Sequence, residues 1–214
     1  FAVMLYYALF QERIGKLGYA NIYEALHLVE RYPLFKQEMI EMMDYLQENL
    51  DFKTYPMDAG ISAGLELYGC YTKEEIFALF GRQTADKKMQ GAASGAFSIE
   101  EKNVELFFVT LNKSEKDFSP TTQYNDYFIS ENRFHWQSQN SMSHTNNGAR
   151  YVNQPSNGRR FILFVREDKK DGFGNTCPYY CMGLVDYVKS HGNFPMNIEW
   201  QLEKPAIAKF IKAV

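Results

Sequence analysis

The chain has 214 residues, of which 45% are apolar and 23% are charged, and its net charge is −3. This composition predicts a globular protein with a hydrophobic core of its own. No apolar run approaches the roughly 20 residues of a membrane-spanning helix, so we expect no membrane association. The small negative charge argues against a protein that coats nucleic acid by charge alone.

Three cysteines, Cys70, Cys177 and Cys181, cannot all pair with one another, and nothing else indicates a secreted disulfide scaffold. A reducing cytoplasm is therefore the expected location. Cys177 and Cys181 lie four residues apart, and His191 alone does not complete the four ligands of a zinc site. The chain starts at Phe1 with an amphipathic segment that has no basic flank or cleavage site of a signal peptide. We expect it to be cut from a longer protein.

The spacing of apolar residues predicts helices in the first fifty residues. Apolar residues recur at three- and four-residue spacing over residues 3–14, 22–29 and 35–46. We expect residues 1–60 to form a small antiparallel helical bundle that joins the rest of the chain to a neighbouring module. The acidic outer face of this bundle is either a solvated surface or a contact with neighbouring domains.

A further short helix is predicted over about Lys73 to Phe80. Thr72 can cap its first turn, and Glu75 can reach back to complete a capping box. Gly81 can end the helix, because glycine adopts the left-handed conformation of many helix ends.

The remainder, residues 61–214, predicts mainly strands. Seven short apolar segments are separated by clusters of Asn, Gly, Pro and Ser, with little helix between them. This pattern indicates an α+β protein whose larger part is a barrel or sandwich built mainly of antiparallel pairs, and of the two we expect the mainly antiparallel β-barrel. Residues 140–158 are long and polar for a connection, and such segments are usually functional or disordered. The predicted strands are Ala96–Ile99, Val104–Leu111, Asp126–Ile129, Arg133–Ser138, Arg160–Arg166, Tyr180–Val188 and Met196–Leu202.

Charge is distributed unevenly along the chain. Residues 1–81 hold six Lys or Arg and twelve Asp or Glu. Residues 82–170 hold thirteen Lys or Arg and ten Asp or Glu. The segment 132–166 contains five arginines and no acidic residue. A local basic face is what phosphate contacts require, although the polar loop 111–124 taken alone is typical of an ordinary hairpin loop. The candidate phosphate-binding residues are Lys113, Lys116, Ser119, Thr121, Arg133, Arg150, Arg159 and Arg160.

Residues 124–137 mix aromatic rings with hydrogen-bonding groups, and an ordinary core strand does not require that mixture. Flat rings can stack on a planar heterocycle, while polar groups beside them read its edge. The segment therefore predicts a pocket wall for a nucleic-acid base. The candidate pocket residues are Tyr124, Asp126, Tyr127, His135, Trp136, Gln137 and, from the connection that follows, Tyr151.

Packing offers another explanation for part of this segment. Alternation along a strand places Phe134 and Trp136 on one face, which can equally be the core, and His135 and Gln137 on the other. Asp126 is the residue that packing explains least well. A carboxylate there is either a structural hydrogen-bond acceptor or a reader of a donor such as the cytosine amino group.

Catalytic explanations find little support in the sequence. Asp126, His135, Ser138 and His144 supply the residue types of a hydrolytic triad, but no glycine pattern of a nucleophile elbow surrounds the serine. Residues 167–170 supply the carboxylates and lysines of a metal-dependent nuclease, yet they are more typical of a solvated strand end. We expect this chain to be non-catalytic, without metal or cofactor.

The chain resembles a domain of uncharacterised function that occurs at the C-terminus of bacterial DEAD-type helicase proteins. The resemblance spans about residues 71–202 and is most specific in the strings LNKSEKD and FHWQSQN, followed by GARYVNQPSNGRRFILFVRE and PYYCMGLVDYV. Many members also carry an N-terminal phospholipase-D-like nuclease. In members that act as modification-dependent restriction enzymes, the domain is similar to SRA-type readers of modified cytosine.

The resemblance implies an SRA/PUA-like barrel that flips a methylated or hydroxymethylated cytosine out of double-stranded DNA into a pocket. Residues 1–60 would join this barrel to the helicase module. Cleavage and ATP-driven translocation would belong to helicase and nuclease domains of the same polypeptide. The alternative is a regulatory domain that binds its own helicase through the acidic helical part and recognises no modified base.

Overall fold

The chain folds into two compact units in the computed structural model. The first, called the helical unit, contains residues 1–65 and 71–92, and the second, called the sheet unit, contains residues 66–70 and 93–214. Each unit has its own hydrophobic core. The structure describes residues 1–50, 53–58, 60–62, 64–87, 89, 95–113 and 125–211. Within these ranges, no helix has both the length and the apolar character needed to cross a membrane.

The helical unit contains the helices that the apolar spacing predicts. They are α1 (Ala2–Phe10), α2 (Ile14–Leu17), α3 (Ile22–Glu30), α4 (Pro33–Glu48) and α5 (Lys73–Leu79). Tyr6 and Ala25 are fully buried between α1 and α3, and the rings of Tyr6 and Phe10 stack with centroids 5.1 Å apart. The hydroxyl of Tyr7 donates to the carbonyl oxygen of Thr84 at 2.9 Å, which fastens α1 to a later part of the unit.

Helix α5 begins with the capping box that the sequence predicts. The Thr72 hydroxyl accepts the backbone N–H of Glu75 at 3.2 Å, and the Glu75 carboxylate accepts the backbone N–H of Thr72 at 2.7 Å. The two bonds satisfy donors that have no partner inside the helix. The helix ends at Leu79, one residue before the predicted end.

Helix α4 differs from its neighbours because it buries none of its 16 residues against the described part of the chain. Pro33 stands in its first turn, where a backbone N–H would have no helical partner in any case. Apolar residues at bundle spacing are exposed, among them Met42 at 57% and Leu46 at 54%. The predicted helices are present, but α4 contributes no core to a bundle.

The sheet unit is built on seven strands whose bounds lie close to the predicted ones. They are β4 (Ala96–Ile99), β5 (Val104–Thr110), β6 (Tyr127–Ser130), β7 (Arg133–Gln137), β8 (Arg160–Arg166), β9 (Tyr179–His191) and β10 (Asn197–Leu202). Three strands of two residues precede them, β1 (Tyr55–Pro56), β2 (Glu66–Leu67) and β3 (Cys70–Tyr71). The seven strands follow the order β4-β5-β8-β9-β10-β7-β6. Neighbours are antiparallel except β5 and β8, which are parallel.

The predicted closed barrel is not present among the described residues. Strands β4 and β6 are the two ends of the hydrogen-bonded order and do not pair with each other there. The α+β class and the predominance of antiparallel pairs are confirmed, whereas the sheet is open. A barrel needs strands whose tilt and register bring the two edges together, and alternation of apolar residues does not report either quantity.

The open sheet is nevertheless strongly curved. Three strands separate β5 from β7 in the hydrogen-bonded order, which in a flat sheet would place them about 19 Å apart, at roughly 4.8 Å per strand. Yet the rings of Phe107 on β5 and Trp136 on β7 stack with centroids 4.5 Å apart. The two halves of the sheet therefore face each other. The rings between them also include Tyr151, Phe161 and Trp200.

The long connection before β8 is folded. Two helical turns, α6 (Ala149–Val152) and α7 (Gln154–Asn157), lie in the segment that the sequence predicts as a functional or disordered loop. Tyr151 is fully buried in the core. The Gln154 amide donates to the Val185 carbonyl oxygen at 3.1 Å and to the Asp186 carboxylate at 2.9 Å. Polar side chains inside a compact domain can satisfy one another, and composition alone did not reveal this.

Candidate nucleic-acid interface

Asp126 lies immediately before β6, and its side chain is only 4% exposed. One carboxylate oxygen accepts the backbone N–H of Gln137 at 2.8 Å. The other accepts from the Lys113 ammonium at 2.5 Å. Burial raises the pKa of the Asp126 carboxyl, while Lys113 and the Gln137 bond oppose that rise. Asp126 is therefore a structural acceptor in the free protein, which was one of its two predicted roles.

Side chains of β7 fix the residue before Asp126. The Gln137 amide oxygen accepts the backbone N–H of Asn125 at 3.0 Å, and its nitrogen donates to the Asn197 side-chain oxygen at 3.1 Å. His135 Nδ1 lies 2.8 Å from the Asn125 carbonyl oxygen. Because a carbonyl only accepts, Nδ1 carries the proton and Nε2 of the neutral ring is an acceptor.

Tyr127 places an aromatic face beside these groups. It lies opposite His135 across the β6–β7 pair, and the two rings stack at 4.7 Å with planes 17° apart. Tyr127 is 44% exposed. The name Asp126 cluster is used below for the residues Lys113, Asn125, Asp126, Tyr127, His135, Gln137 and Asn197.

The outer face of the sheet around this stack is polar. His135 lies opposite Glu199 on β10, and Glu199 lies opposite Lys189 on β9. The Lys189 ammonium and the Glu199 carboxylate form an ion pair at 2.9 Å. The surface beside Tyr127 thus offers donors and acceptors within a few strand spacings. The next row across the same strands contains Gln137, Asn197 and His191.

Two predicted pocket residues lie in the core. Trp136 is 4% exposed, and its ring meets Tyr151 edge-on with centroids 5.3 Å apart. Both rings are covered by neighbouring aromatic side chains, so neither offers an open face in this structure. Their role as stacking walls stays a prediction. Tyr124, the remaining predicted ring, lies outside the described residues.

Two of the predicted phosphate ligands are engaged inside the protein. Glu105 is fully buried on β5 and lies between two guanidinium groups. Arg150 approaches one carboxylate oxygen at 2.6 Å, and Arg159 approaches the other at 3.3 Å. Burial raises the pKa of Glu105, and the two arginines oppose the rise. A phosphate group would have to compete with this carboxylate for Arg150 and Arg159.

The other predicted phosphate ligands are dispersed. Arg133 begins β7 and is half-buried, with no ion pair to the residues that the structure describes. Arg160 begins β8 and lines a cleft of about 520 Å³ together with Tyr187 and Glu203. Lys113 belongs to the Asp126 cluster. Lys116, Ser119 and Thr121 lie outside the described residues.

A hairpin that the sequence interpretation missed extends from the ends of β8 and β9. Lys170 pairs with Thr176, and one Asp171 carboxylate oxygen accepts the backbone N–H groups of Phe173 and Asn175 at 2.9 and 2.8 Å. Phe173 at the tip is 94% exposed. The string DGFGN carries the turn signal, since Asp and Asn bond to their own backbone and Gly permits sharp turns. We call residues 169–177 the Phe173 hairpin.

This hairpin starts close to the Asp126 cluster. The pairing of β5 and β8 continues beyond both strands, because the Asn112 N–H donates to the Glu167 carbonyl oxygen at 2.8 Å. Lys113 follows Asn112 directly, and its ammonium contacts Asp126. Asn112 and Lys113 therefore connect the base of the Phe173 hairpin to the buried Asp126 carboxylate.

The residue types of a hydrolytic triad are not assembled. The Ser138 hydroxyl is buried and accepts the backbone N–H of Met196 at 2.9 Å. His144 Nε2 lies 2.8 Å from the Ser190 hydroxyl, and His135 bonds to a backbone carbonyl oxygen. Within the described residues, no group of three or more His, Cys, Asp or Glu is arranged to bind a metal ion.

A family model matches most of the chain. Residues 65–212 match the family described as Domain of unknown function (DUF3427). The chain belongs to this family. The match includes the whole strand-bearing region from β4 to β10 and with it the Asp126 cluster and the Phe173 hairpin. No curated protein matches the chain.

A solved structure is similar at low level. It is "The 5-Hydroxymethylcytosine-Specific Restriction Enzyme AbaSI", with 14% sequence identity and a TM-score of 0.36. The match covers 85% of this chain and 53% of that chain. The present chain thus spans about half the length of that restriction enzyme.

Proposed function

We propose that the sheet unit binds double-stranded DNA and recognises a methylated or hydroxymethylated cytosine that has been flipped out of the duplex. The observation that carries this proposal is the half-exposed ring of Tyr127, which stacks on the buried ring of His135 beside the buried Asp126 carboxylate. A flat ring with one open face can stack on a base. Acceptors next to it can read the amino group that distinguishes cytosine from thymine.

The hydrogen-bonding inventory of the Asp126 cluster suits a cytosine edge. A carboxylate has about four lone-pair sites on two oxygens, and the Gln137 N–H and Lys113 use one on each oxygen. Asp126 can therefore accept a further donor, and His135 Nε2 offers a second acceptor. The positive charge of Lys113 offsets the negative charge of the Asp126 carboxylate, so the site does not repel the DNA backbone.

The energy of base extrusion explains why both stacking and hydrogen bonds are needed. Flipping a base costs a few kcal/mol of lost stacking and pairing. Stacking on an aromatic ring returns about 1–3 kcal/mol per base. Tyr127 is the exposed ring among the described candidates and is assigned this role. Hydrogen bonds from the cluster and contact with the modified carbon would supply the remainder.

The Phe173 hairpin is assigned to the duplex next to the flipped base. Apolar side chains inserted between base steps unstack them and kink the DNA. A phenylalanine that is almost fully exposed on a turn fixed by Asp171 has the position for such a wedge. Lys169 and Lys170 precede it, and lysines near a phosphate backbone strengthen binding to all sequences alike.

The chain itself is proposed to be non-catalytic. Cleavage and ATP-driven movement along DNA would belong to nuclease and helicase domains of the same polypeptide, which stay predictions. The chain would then determine which DNA these domains act on, by supplying recognition without chemistry.

The experiment compares three otherwise identical duplexes that carry one central cytosine, 5-methylcytosine or 5-hydroxymethylcytosine. Fluorescence anisotropy with the full chain measures binding, and a fluorescent base analogue at the central position reports extrusion. We expect at least one modified duplex to bind about tenfold more tightly than the unmodified one, equivalent to about 1.4 kcal/mol. Equal affinity for all three duplexes, without extrusion, would contradict the proposal.

Variants assign the effect to the site. Tyr127→Ala should remove most of the preference for the modified duplex, because it deletes the stacking face, whereas Tyr127→Phe should retain it. The matched control is Tyr23→Ala, which removes an exposed tyrosine of α3 in the helical unit. Loss of the preference in the control as well would show that Tyr127 has no special role.

A further inference from the structure

Asn197 determines which way the Gln137 amide points. The backbone N–H of Asn125 is a donor, so the Gln137 atom that faces it at 3.0 Å is the amide oxygen. The Gln137 nitrogen then faces Asn197 and requires an acceptor, which the Asn197 side-chain oxygen supplies at 3.1 Å. If the Gln137 amide turned over, a donor would face a donor at Asn125 and an acceptor would face an acceptor at Asn197.

Asn197 is itself held in place by the sheet. It lies on β10, between Gln137 on β7 and His191 on β9, and it is half-buried. Its amide nitrogen is close to the turn between β9 and β10, since a Cβ added to Gly192 would lie 3.3 Å from it. A side chain on a strand that is paired on both sides gives a more precise support than one on a loop.

Asn125 depends on side chains for its position. Strand β6 begins only at Tyr127, so Asn125 lies outside the ladder of the sheet. Its N–H donates to Gln137, and its carbonyl oxygen accepts from His135 Nδ1 at 2.8 Å. Both bonds meet at one residue, and loss of the first therefore leaves the acceptor of the second less well fixed.

The position of the proton on His135 depends on the second bond. In a neutral imidazole, the hydrogen bonds of the ring decide which nitrogen carries the proton. The Asn125 carbonyl oxygen opposite Nδ1 places the proton on Nδ1, so that Nε2 accepts. If that oxygen is displaced, the proton can move to Nε2, which then donates and no longer accepts the amino group of a cytosine.

We infer that Asn197 is a positioning residue of the proposed base site. It acts through Gln137 and Asn125, and its effect is to keep Nε2 of His135 an acceptor. The inference rests on the proposed function, because only a bound base makes this acceptor useful. At the ring position where cytosine has a donating amino group, thymine and uracil have an accepting oxygen. Asn197 therefore contributes to the distinction between these bases.

The first test observes the proton of His135 in the free protein. Long-range nitrogen–proton NMR spectra of the isotope-labelled full chain distinguish a protonated Nδ1 from a protonated Nε2, at about pH 8 where imidazoles are ordinarily neutral. His135→Gln identifies the signals of this ring among the four histidines. The wild type should have the proton on Nδ1, and Asn197→Leu should give a mixture of both forms. An unchanged spectrum in Asn197→Leu would overturn the inference.

Two further variants separate positioning from a general loss of structure. Asn197→Asp retains an oxygen that accepts from Gln137 and should keep the proton of His135 on Nδ1. Gln201→Leu is the matched control, because Gln201 is half-buried on the same face of β10 and bonds to the Leu202 carbonyl oxygen. It should also keep the proton on Nδ1. The same mixture of forms in Gln201→Leu would overturn the inference, since any lost polar side chain on β10 would then have this effect.

The second test measures selectivity in the complex. One duplex carries the modified cytosine that the wild type prefers, and the other carries the uracil with the same substituent at that position. Asn197→Leu should lower the preference for the cytosine duplex about fivefold relative to the wild type, which corresponds to one hydrogen bond. Asn197→Asp and Gln201→Leu should retain it. Unchanged selectivity in Asn197→Leu would overturn the inference even if the proton had moved.

The two tests separate the inference from the proposed function. Tryptophan fluorescence confirms that each variant is folded, and Asn197→Ala replaces Asn197→Leu if the leucine variant is not. If no chain distinguishes modified from unmodified duplexes, the proposed function fails, and the spectra alone decide whether Asn197 positions His135. If the wild type prefers modified cytosine while Asn197→Leu keeps both the proton position and the selectivity, the proposed function stands and the inference is overturned.

Discussion

The two units treat their apolar side chains in opposite ways. In the sheet unit, Phe107, Trp136 and Trp200 pack ring against ring inside a curved sheet. In the helical unit, α4 leaves Met42 and Leu46 exposed. The difference indicates that the sheet unit has a complete core and a surface available for a ligand. The helical unit, in contrast, exposes apolar surface that a partner can cover.

The largest expected effect tests this contrast directly. Phe107→Ala should lower the free energy of unfolding of the sheet unit by about 3–5 kcal/mol, because it opens a cavity among four rings. Leu46→Ala should change stability by no more than about 0.5 kcal/mol. Both tryptophans of the chain, Trp136 and Trp200, lie in the sheet unit, so their fluorescence during urea unfolding follows that unit, whereas far-ultraviolet circular dichroism also follows the helices of the helical unit, in which Leu46 lies. Similar losses for the two variants would contradict the contrast.

The second prediction concerns charge inside the sheet unit. Glu105→Gln should lower the free energy of unfolding of the sheet unit by about 1–3 kcal/mol. Arg150 and Arg159 would lose the negative charge that compensates the burial of their own charges. Glu100→Gln is the matched control. Its exposed carboxylate pairs with the same Arg159 at 2.9 Å and should contribute less than about 1 kcal/mol. Equal costs in urea unfolding would show that Glu105 is no more important than a surface ion pair.

The third prediction uses the pH dependence of Asp126. Burial raises its pKa above the unfolded value of about 3.9, so the folded state binds the proton more tightly. The free energy of unfolding should therefore fall as pH rises from about 3.9 through the folded pKa, by about 1.4 kcal/mol for each unit of upward shift. Urea unfolding of the wild type and of Asp126→Asn, compared from about pH 3.5 to 7, isolates this contribution. A pH-independent difference between the two would contradict it.

Local features of the fold were predictable because they depend on neighbours in the chain. The strand Ala96–Ile99, the strand Arg160–Arg166 and the capping box of α5 match their predictions, since apolar alternation and cap chemistry act over a few residues. Among the described residues the predicted barrel is not closed, because β4 and β6 do not pair with each other there. Whether two edge strands meet depends on curvature summed over the whole sheet, and no single segment encodes it.

In the candidate site, the surroundings of Arg150, Arg159 and Trp136 were not predictable from the sequence. The sequence predicts a basic face at Arg150 and Arg159 because no acidic residue lies near them in the chain. Glu105, which compensates them, stands inside the buried strand VELFFVT. An acidic residue in such a run signals a buried ion pair, because an unpaired charge there would be too costly. For Trp136, alternation left core and pocket equally open, and in the structure its ring packs among Phe107, Tyr151 and Trp200.

The parallel pair β5–β8 has a consequence for how the chain reaches its native state. Val104 pairs with Arg160, which follows it by 56 residues in the chain. The edge of β5 that pairs with β8 therefore stays uncovered until this later segment has been made. Long-range pairings form slowly, and unpaired apolar strands associate with other chains in the meantime. A nascent chain that ends before β8 would expose VELFFVT, a sequence with high β-propensity and one charge. Such truncated products should aggregate, and chaperone assistance during synthesis should increase the yield of the full-length protein.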